Sequence, residues 1–161
     1  MDLMSKLSSL ALATSGLALC LVPPALAQID TTSIGTLNAT IGDASYAGET
    51  LEVPSEGTAT AEFRSFGPIV SITIQAHDPN TESMMNNVFS LEISLMGTDA
   101  SASVADKSIS YWPGGMSAPF YMSEDSGAEP VITFDTLSLD DDAAADGSFS
   151  ALLCRKDDFF S

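Results

Sequence analysis

Apolar and polar residues alternate most clearly between Val88 and Leu95, where Phe89, Leu91, Ile93 and Leu95 make one face and Val88, Ser90, Glu92 and Ser94 the other. A period of two is the mark of a strand with one dry and one wet side, which belongs to antiparallel sheets. The same rhythm recurs along the chain. Leu37, Ala39 and Ile41 alternate with Thr36, Asn38 and Thr40, and the turn residues Gly42-Asp43 follow. Tyr46 to Val53 predicts a second strand, stopped by Pro54, and Thr58 to Phe63 a third. After Gly67-Pro68, the β-branched run Ile69 to Ile74 predicts a fourth.

Turn chemistry punctuates the rest. In Ala76-His77-Asp78-Pro79-Asn80 the Asp and Asn side chains bond their own backbone and the proline presets its dihedral. Ser108 to Trp112 and Pro119 to Met122 read as extended, separated by Pro113-Gly114-Gly115, while Ala100 to Val104 fits a loop or a weak strand. In Val131 to Leu139, Ile132 and Phe134 share one parity and Leu137 and Leu139 the other, a change of phase that predicts a bulge. Ser148 to Cys154 reads as a single closing strand with Phe149, Ala151 and Leu153 on one side. Only Glu82 to Asn87 and Asp140 to Asp146 could make even one helical turn. The expectation is an all-β fold, a small antiparallel β-sandwich of about eight or nine short strands, with a closed barrel as second choice.

The first residues do not belong to this pattern. Lys6 precedes an apolar run from Leu7 to Val22, and Pro23-Pro24-Ala25-Leu26-Ala27 leads to the polar Gln28. Prolines that break an export helix, followed by small residues two apart, are the parts of a secretory signal peptide cleaved after Ala27. Cys20 follows the bulky Leu19 rather than a small residue, which weighs against lipid attachment there. The apolar run is shorter than the roughly 20 residues a bilayer requires. Residues 28 to 161 are then expected to form one domain, periplasmic or secreted, with no membrane insertion after cleavage.

Cleavage removes one acid, Asp2, and one base, Lys6, so the domain keeps the net charge of −17 carried by the whole chain. A surface of that sign repels phosphate backbones and anionic lipid, which excludes nucleic acid as an expected partner. It leaves a protein or glycan partner and a monomer or weak dimer as the expectations. Cys154 is the only cysteine beyond Cys20, so the domain has no internal disulfide and is held by packing alone.

Few residues suggest chemistry. Asp140, Asp141, Asp142 and Asp146 are the densest group of carboxylates, and closely spaced oxygens in a loop can serve calcium, although the spacing is not that of an EF-hand and Ala143 to Ala145 offer no oxygen. The stretch Tyr111, Trp112, Phe120 and Tyr121 could present aromatic faces to sugar rings, although aromatics beside strands are commonly core. His77 has no nucleophile motif near it, and Met84, Met85, Met96, Met116 and Met122 form no copper-binding repeat. The expectation is a non-enzymatic exported protein with a binding or envelope role. A carbohydrate-binding module, calcium-assisted or not, is the alternative, and a small hydrolase using paired carboxylates comes third. The N-terminal reading is checked by intact mass on protein recovered outside the cytoplasm, which should begin at Gln28; a retained leader would overturn it.

Overall fold

The computed structural model describes residues 29 to 140 and 142 to 158, and every strand expected above contributes to an all-β, antiparallel architecture. The leader segment and Asp141 lie outside the described residues. Eleven strands are present: β1 (Thr32–Ile41), β2 (Ala44–Val53), β3 (Thr58–Ala59), β4 (Ala61–Phe66), β5 (Ile69–His77), β6 (Val88–Met96), β7 (Ser103–Trp112), β8 (Phe120–Met122), β9 (Val131–Ser138), β10 (Ala144–Ser150) and β11 (Cys154–Lys156). Nine of them form one sheet in the order β1-β2-β5-β6-β7-β8-β11, with β3 added on β2 and β4 on β5, while β9 and β10 pair as a separate hairpin. The large sheet does not close on itself, so the barrel alternative is replaced by an open sheet capped by a small one. Among the described residues no helix is long and apolar enough to cross a membrane.

The expected faces of β6 are the observed ones. Phe89, Leu91, Ile93 and Leu95 are buried, and register carries the face sideways: Val70 sits opposite Leu95, Ile72 opposite Ile93, Ile74 opposite Leu91 and Ala76 opposite Phe89. Ile109 and Tyr111 of β7 continue the row beyond Leu91 and Phe89. Directly opposed residues of an antiparallel pair point the same way, so one dry face spans three strands and extends to Phe63 of β4 and to Tyr46 and Leu37 at the other margin.

Two glycines let this face pack. Tyr46 lies along β2 over Gly48, where a Cβ would fall 2.5 Å from the phenol oxygen. Gly147 of β10 sits so close to the Thr133 carbonyl that any side chain would collide with it.

The hairpin covers the dry face, and here the phase change in β9 resolves. Thr136 pairs with Asp146 but Phe134 pairs with Gly147, so Asp135 is the extra residue of a bulge. The inserted residue brings Leu137 and Leu139 back onto the side of Ile132 and Phe134, and all four pack against the core. The closing strand, by contrast, is not a single strand. Ala144 to Ser150 pairs with β9 in the small sheet, residues 151 to 153 cross over, and Cys154 to Lys156 pairs with β8 in the large one. Neither segment capable of a helical turn makes one among the described residues: 82 to 87 is turns and bends, and β10 begins at Ala144.

Burial is uneven. Leu95 is fully buried, whereas Leu137 is half-buried at the opposite layer. Leu95→Ala should therefore cost about 3 kcal/mol and Leu137→Ala about 1 kcal/mol in urea unfolding; equal losses would mean that the hairpin is packed as tightly as the sheet.

Candidate functional site

A cleft of about 570 Å³ lies between the two layers. Its floor is Leu37, Phe63, Ile72 and Ile93 of the large sheet, and its roof is Phe134 and Leu137 of the hairpin. The volume falls within the roughly 300–1,000 Å³ range of small-molecule sites. Two stacked sheets sit about 10 Å apart and are normally filled by side chains from both. Here one roof strand fills only part of its share. Of its inward positions, Phe149 opposite Ile132 packs on the Phe89 ring at 5.3 Å, whereas Ala145 opposite Leu137 and Gly147 opposite Phe134 carry only a methyl group and a hydrogen.

The charged residues bordering the cleft do not point into it. Glu62 falls between Ala61 and Phe63, whose partners Ile74 and Ile72 are on the dry face, and its carboxylate pairs instead with the Arg64 guanidinium at 2.9 Å. Asp146 pairs with Thr136 on the outward side of the hairpin. Ile34, the extra residue of a bulge between Ser33 and Gly35 in β1, borders the cleft half-exposed and adds an apolar side chain to a margin that also carries Thr36, Asn38 and Ser148.

The four aromatic residues singled out in the sequence divide between two faces. Tyr111 and Tyr121 are opposed in register, with ring centroids 6.0 Å apart, and they continue the dry face through Phe89 and Tyr46. Trp112 and Phe120 are their neighbours in sequence and so project from the outer face, where their rings meet edge to face at 5.4 Å and the Trp112 indole N–H donates to Ser110 Oγ at 2.8 Å. No single plane holds all four. Phe120 is buried and the other three half-buried.

Of the acidic group, Asp140 follows β9, Asp142 lies in the connecting loop and Asp146 in β10, all exposed, and Asp141 lies outside the described residues. Among the described residues no group of three or more His, Cys, Asp or Glu side chains gathers to hold a metal. Met96 ends β6, whereas Met84 and Met85 lie in the loop before its start, about 25 Å away by strand length. Cys154 opens β11 half-buried, its Sγ 3.9 Å from the Asp125 carbonyl oxygen.

One cluster escaped sequence reasoning, a polar knot at the end of the sheet centred on Asn87. Its backbone N–H donates to the Pro113 carbonyl at 3.1 Å, and its carbonyl receives the Tyr46 hydroxyl at 3.1 Å, which is also 2.7 Å from the Ala76 carbonyl. Its side-chain oxygen accepts from the Tyr111 hydroxyl and its amide donates to Asp78 Oδ2. Asn87 adopts a left-handed φ of 55°, which asparagine tolerates better than most residues. The turn chemistry of Asp78-Pro79-Asn80 was legible, and Asp78 Oδ1 accepts both the backbone and the side-chain N–H of Asn80 at 2.9 Å. Burial pushes the Tyr46 and Tyr111 phenols above their ordinary values, which keeps both as donors.

His77 Nδ1 is 2.6 Å from the Met84 carbonyl oxygen, and because a carbonyl only accepts, Nδ1 carries the proton. Its Nε2 is buried without a partner, as is Ser90 Oγ. The two residues share a face one register step apart, His77 opposite Val88 and Gln75 opposite Ser90. No hydrogen bond joins them, and buried atoms offer a substrate no accessible nucleophile.

No protein-family model, no curated protein and no solved structure matches the chain.

The knot predicts a pH dependence. The backbone N–H of Asn80, then the side chains of Asn87 and Asn80, hold the Asp78 carboxyl below its ordinary value. A carboxyl depressed in the folded state stabilises the fold above its unfolded value of about 3.9, and that contribution is lost as pH falls through the folded value. At neutral pH, Asp78→Asn should lower the melting temperature by roughly 4 °C, about 1 kcal/mol. The gap should close in acid, where the native carboxyl is protonated too. A gap that persists unchanged in acid would show that the charge of Asp78 contributes nothing.

Proposed function

We propose that this chain is an exported, non-enzymatic binding protein of sandwich-like form whose ligand site is the cleft between its two layers. The observation that carries the reading is the unfilled space facing the apolar floor, kept open by the alanine and glycine positions of β10. A strand evolved only to complete a core would place large apolar residues there, because interiors pack to near-crystalline density and each void costs stability. The signal-peptide pattern of the N-terminal segment supports an extracytoplasmic setting, and a charge of −17 opposes binding to polyanions. A carbohydrate platform built from Tyr111, Trp112, Phe120 and Tyr121 draws no support from their division between opposite faces.

The cleft is tested with a neutral dye whose fluorescence rises in apolar surroundings, such as N-phenylnaphthylamine. The protein should enhance it saturably. Ala145→Phe, at an inward position opposite Leu137, should fill the space and weaken dye binding at least about tenfold, while the melting temperature holds or rises. Undiminished enhancement in that variant would move the binding site elsewhere, and no enhancement by the native protein would end the reading.

A further inference from the structure

The cleft differs from an ordinary amphiphile site in what its walls lack. A site for a fatty acid or a phospholipid meets the anionic head with a cation or with converging N–H donors, because an ion taken from water must be compensated where it is buried. Among the described lining residues there is no Lys, Arg or His. Asp146, which borders the space, adds negative potential at its margin, and so does the net charge of −17, while Glu62 is paired with Arg64. An anionic head would be repelled at the mouth and left unpaired inside.

Among the lining side chains that register places on the dry face, one is polar. Thr50 of β2 is opposed in register to Gly35 of β1, and both line the cleft. The side chain that Gly35 lacks would have stood 2.7 Å from Thr50 Oγ1, so the glycine leaves that hydroxyl uncovered on the side of the cleft. Leu37, Ile72 and Ile93 of the same floor are apolar and buried. The arrangement is an apolar floor with a single inward-facing hydroxyl, inside a rim that carries Thr36, Asn38, Thr133, Ser138 and Ser148, and a hydroxyl can both donate and accept.

Resting on the cleft reading above, we propose that the ligand is an uncharged, mainly apolar small molecule bearing one hydroxyl or carbonyl, that Thr50 Oγ1 meets this group across Gly35, and that anionic amphiphiles are rejected. Thr50 is thus the specificity-determining residue. A bound apolar body would restore the packing that Ala145 and Gly147 leave unmade, and the hydrogen bond would select among apolar bodies of equal size.

The test displaces the neutral dye from the full mature chain at neutral pH with three compounds of one chain length, decanol, decylamine and decanoate. Decanol should displace it best, and decanoate should be weaker by about tenfold or more. Thr50→Val, which keeps the shape of the buried side chain, should weaken decanol by about fivefold to tenfold more than it weakens the dye. If the dye binds and decanoate competes as well as decanol, the charge selectivity is wrong. If decanol binds equally to native and Thr50→Val protein, the anchor is wrong. A dye that never binds removes the cleft and this assignment together, whereas either of the other failures leaves the cleft standing.

Discussion

The pairing of β5 with β6 runs without a break from Ile69 opposite Met96 to His77 opposite Val88, and every other feature takes its orientation from it. Because side chains alternate strictly along a strand, a slip of one residue would turn Val70, Ile72, Leu91 and Ile93 to water and bring Ser71, Thr73, Glu92 and Ser94 inside. The transfer cost of exposing even one such apolar side chain is about 1.5–3 kcal/mol, so the whole row excludes the alternative register. With that row set, β4 and β7 have only one way to join it, and the dry face of the sheet is decided.

Bulges then adjust what strict alternation would get wrong. In β7, Ser94 opposes Asp106 but Leu95 opposes Val104, so Ala105 is passed over and the apolar Val104 returns to the core side. Asp135 does the same for Leu137 and Leu139 in the hairpin. In β1 the extra residue is Ile34, and it has the opposite effect, standing half-exposed at the mouth of the cleft. One device serves both to complete the core and to leave part of it accessible.

The two ends of the molecule are built differently. Where β2, β5, β6 and β7 meet, Tyr46, Asp78, Asn87 and Tyr111 satisfy one another's polar groups, and the aromatic rings of Tyr46, Phe89 and Tyr111 pack within 5.6 to 6.0 Å of one another. This end is closed. Under the hairpin, Ile132, Phe134, Leu137, Leu139 and Phe149 reach the large sheet, but Ala145 and Gly147 leave space beside them. A rigid closed end beside an incompletely filled layer is a framework that can accept an occupant without reorganising the sheet.

Strand positions, the dry face of β6, the Asp78 turn and the bulge in β9 could all be read from residue order, since each depends on neighbours a few positions away. The aromatic group could not be resolved that way. Tyr111, Trp112, Phe120 and Tyr121 form one apolar stretch in the sequence, but adjacent residues of a strand face opposite sides, and only the pairing of β7 with β8 shows that Tyr111 joins Tyr121. The end of the chain looked like one strand because Phe149, Ala151 and Leu153 keep one rhythm, whereas pairing partners far away in sequence divide it between two sheets. Asn87 and the cleft were silent for the same reason. A hydrogen-bonding hub takes its partners from distant strands, and an empty space is a property of two layers together, written in neither one. What local periodicity carries, the sequence determined; what depends on which strands meet and how completely they fill the gap between them, only the tertiary structure decided.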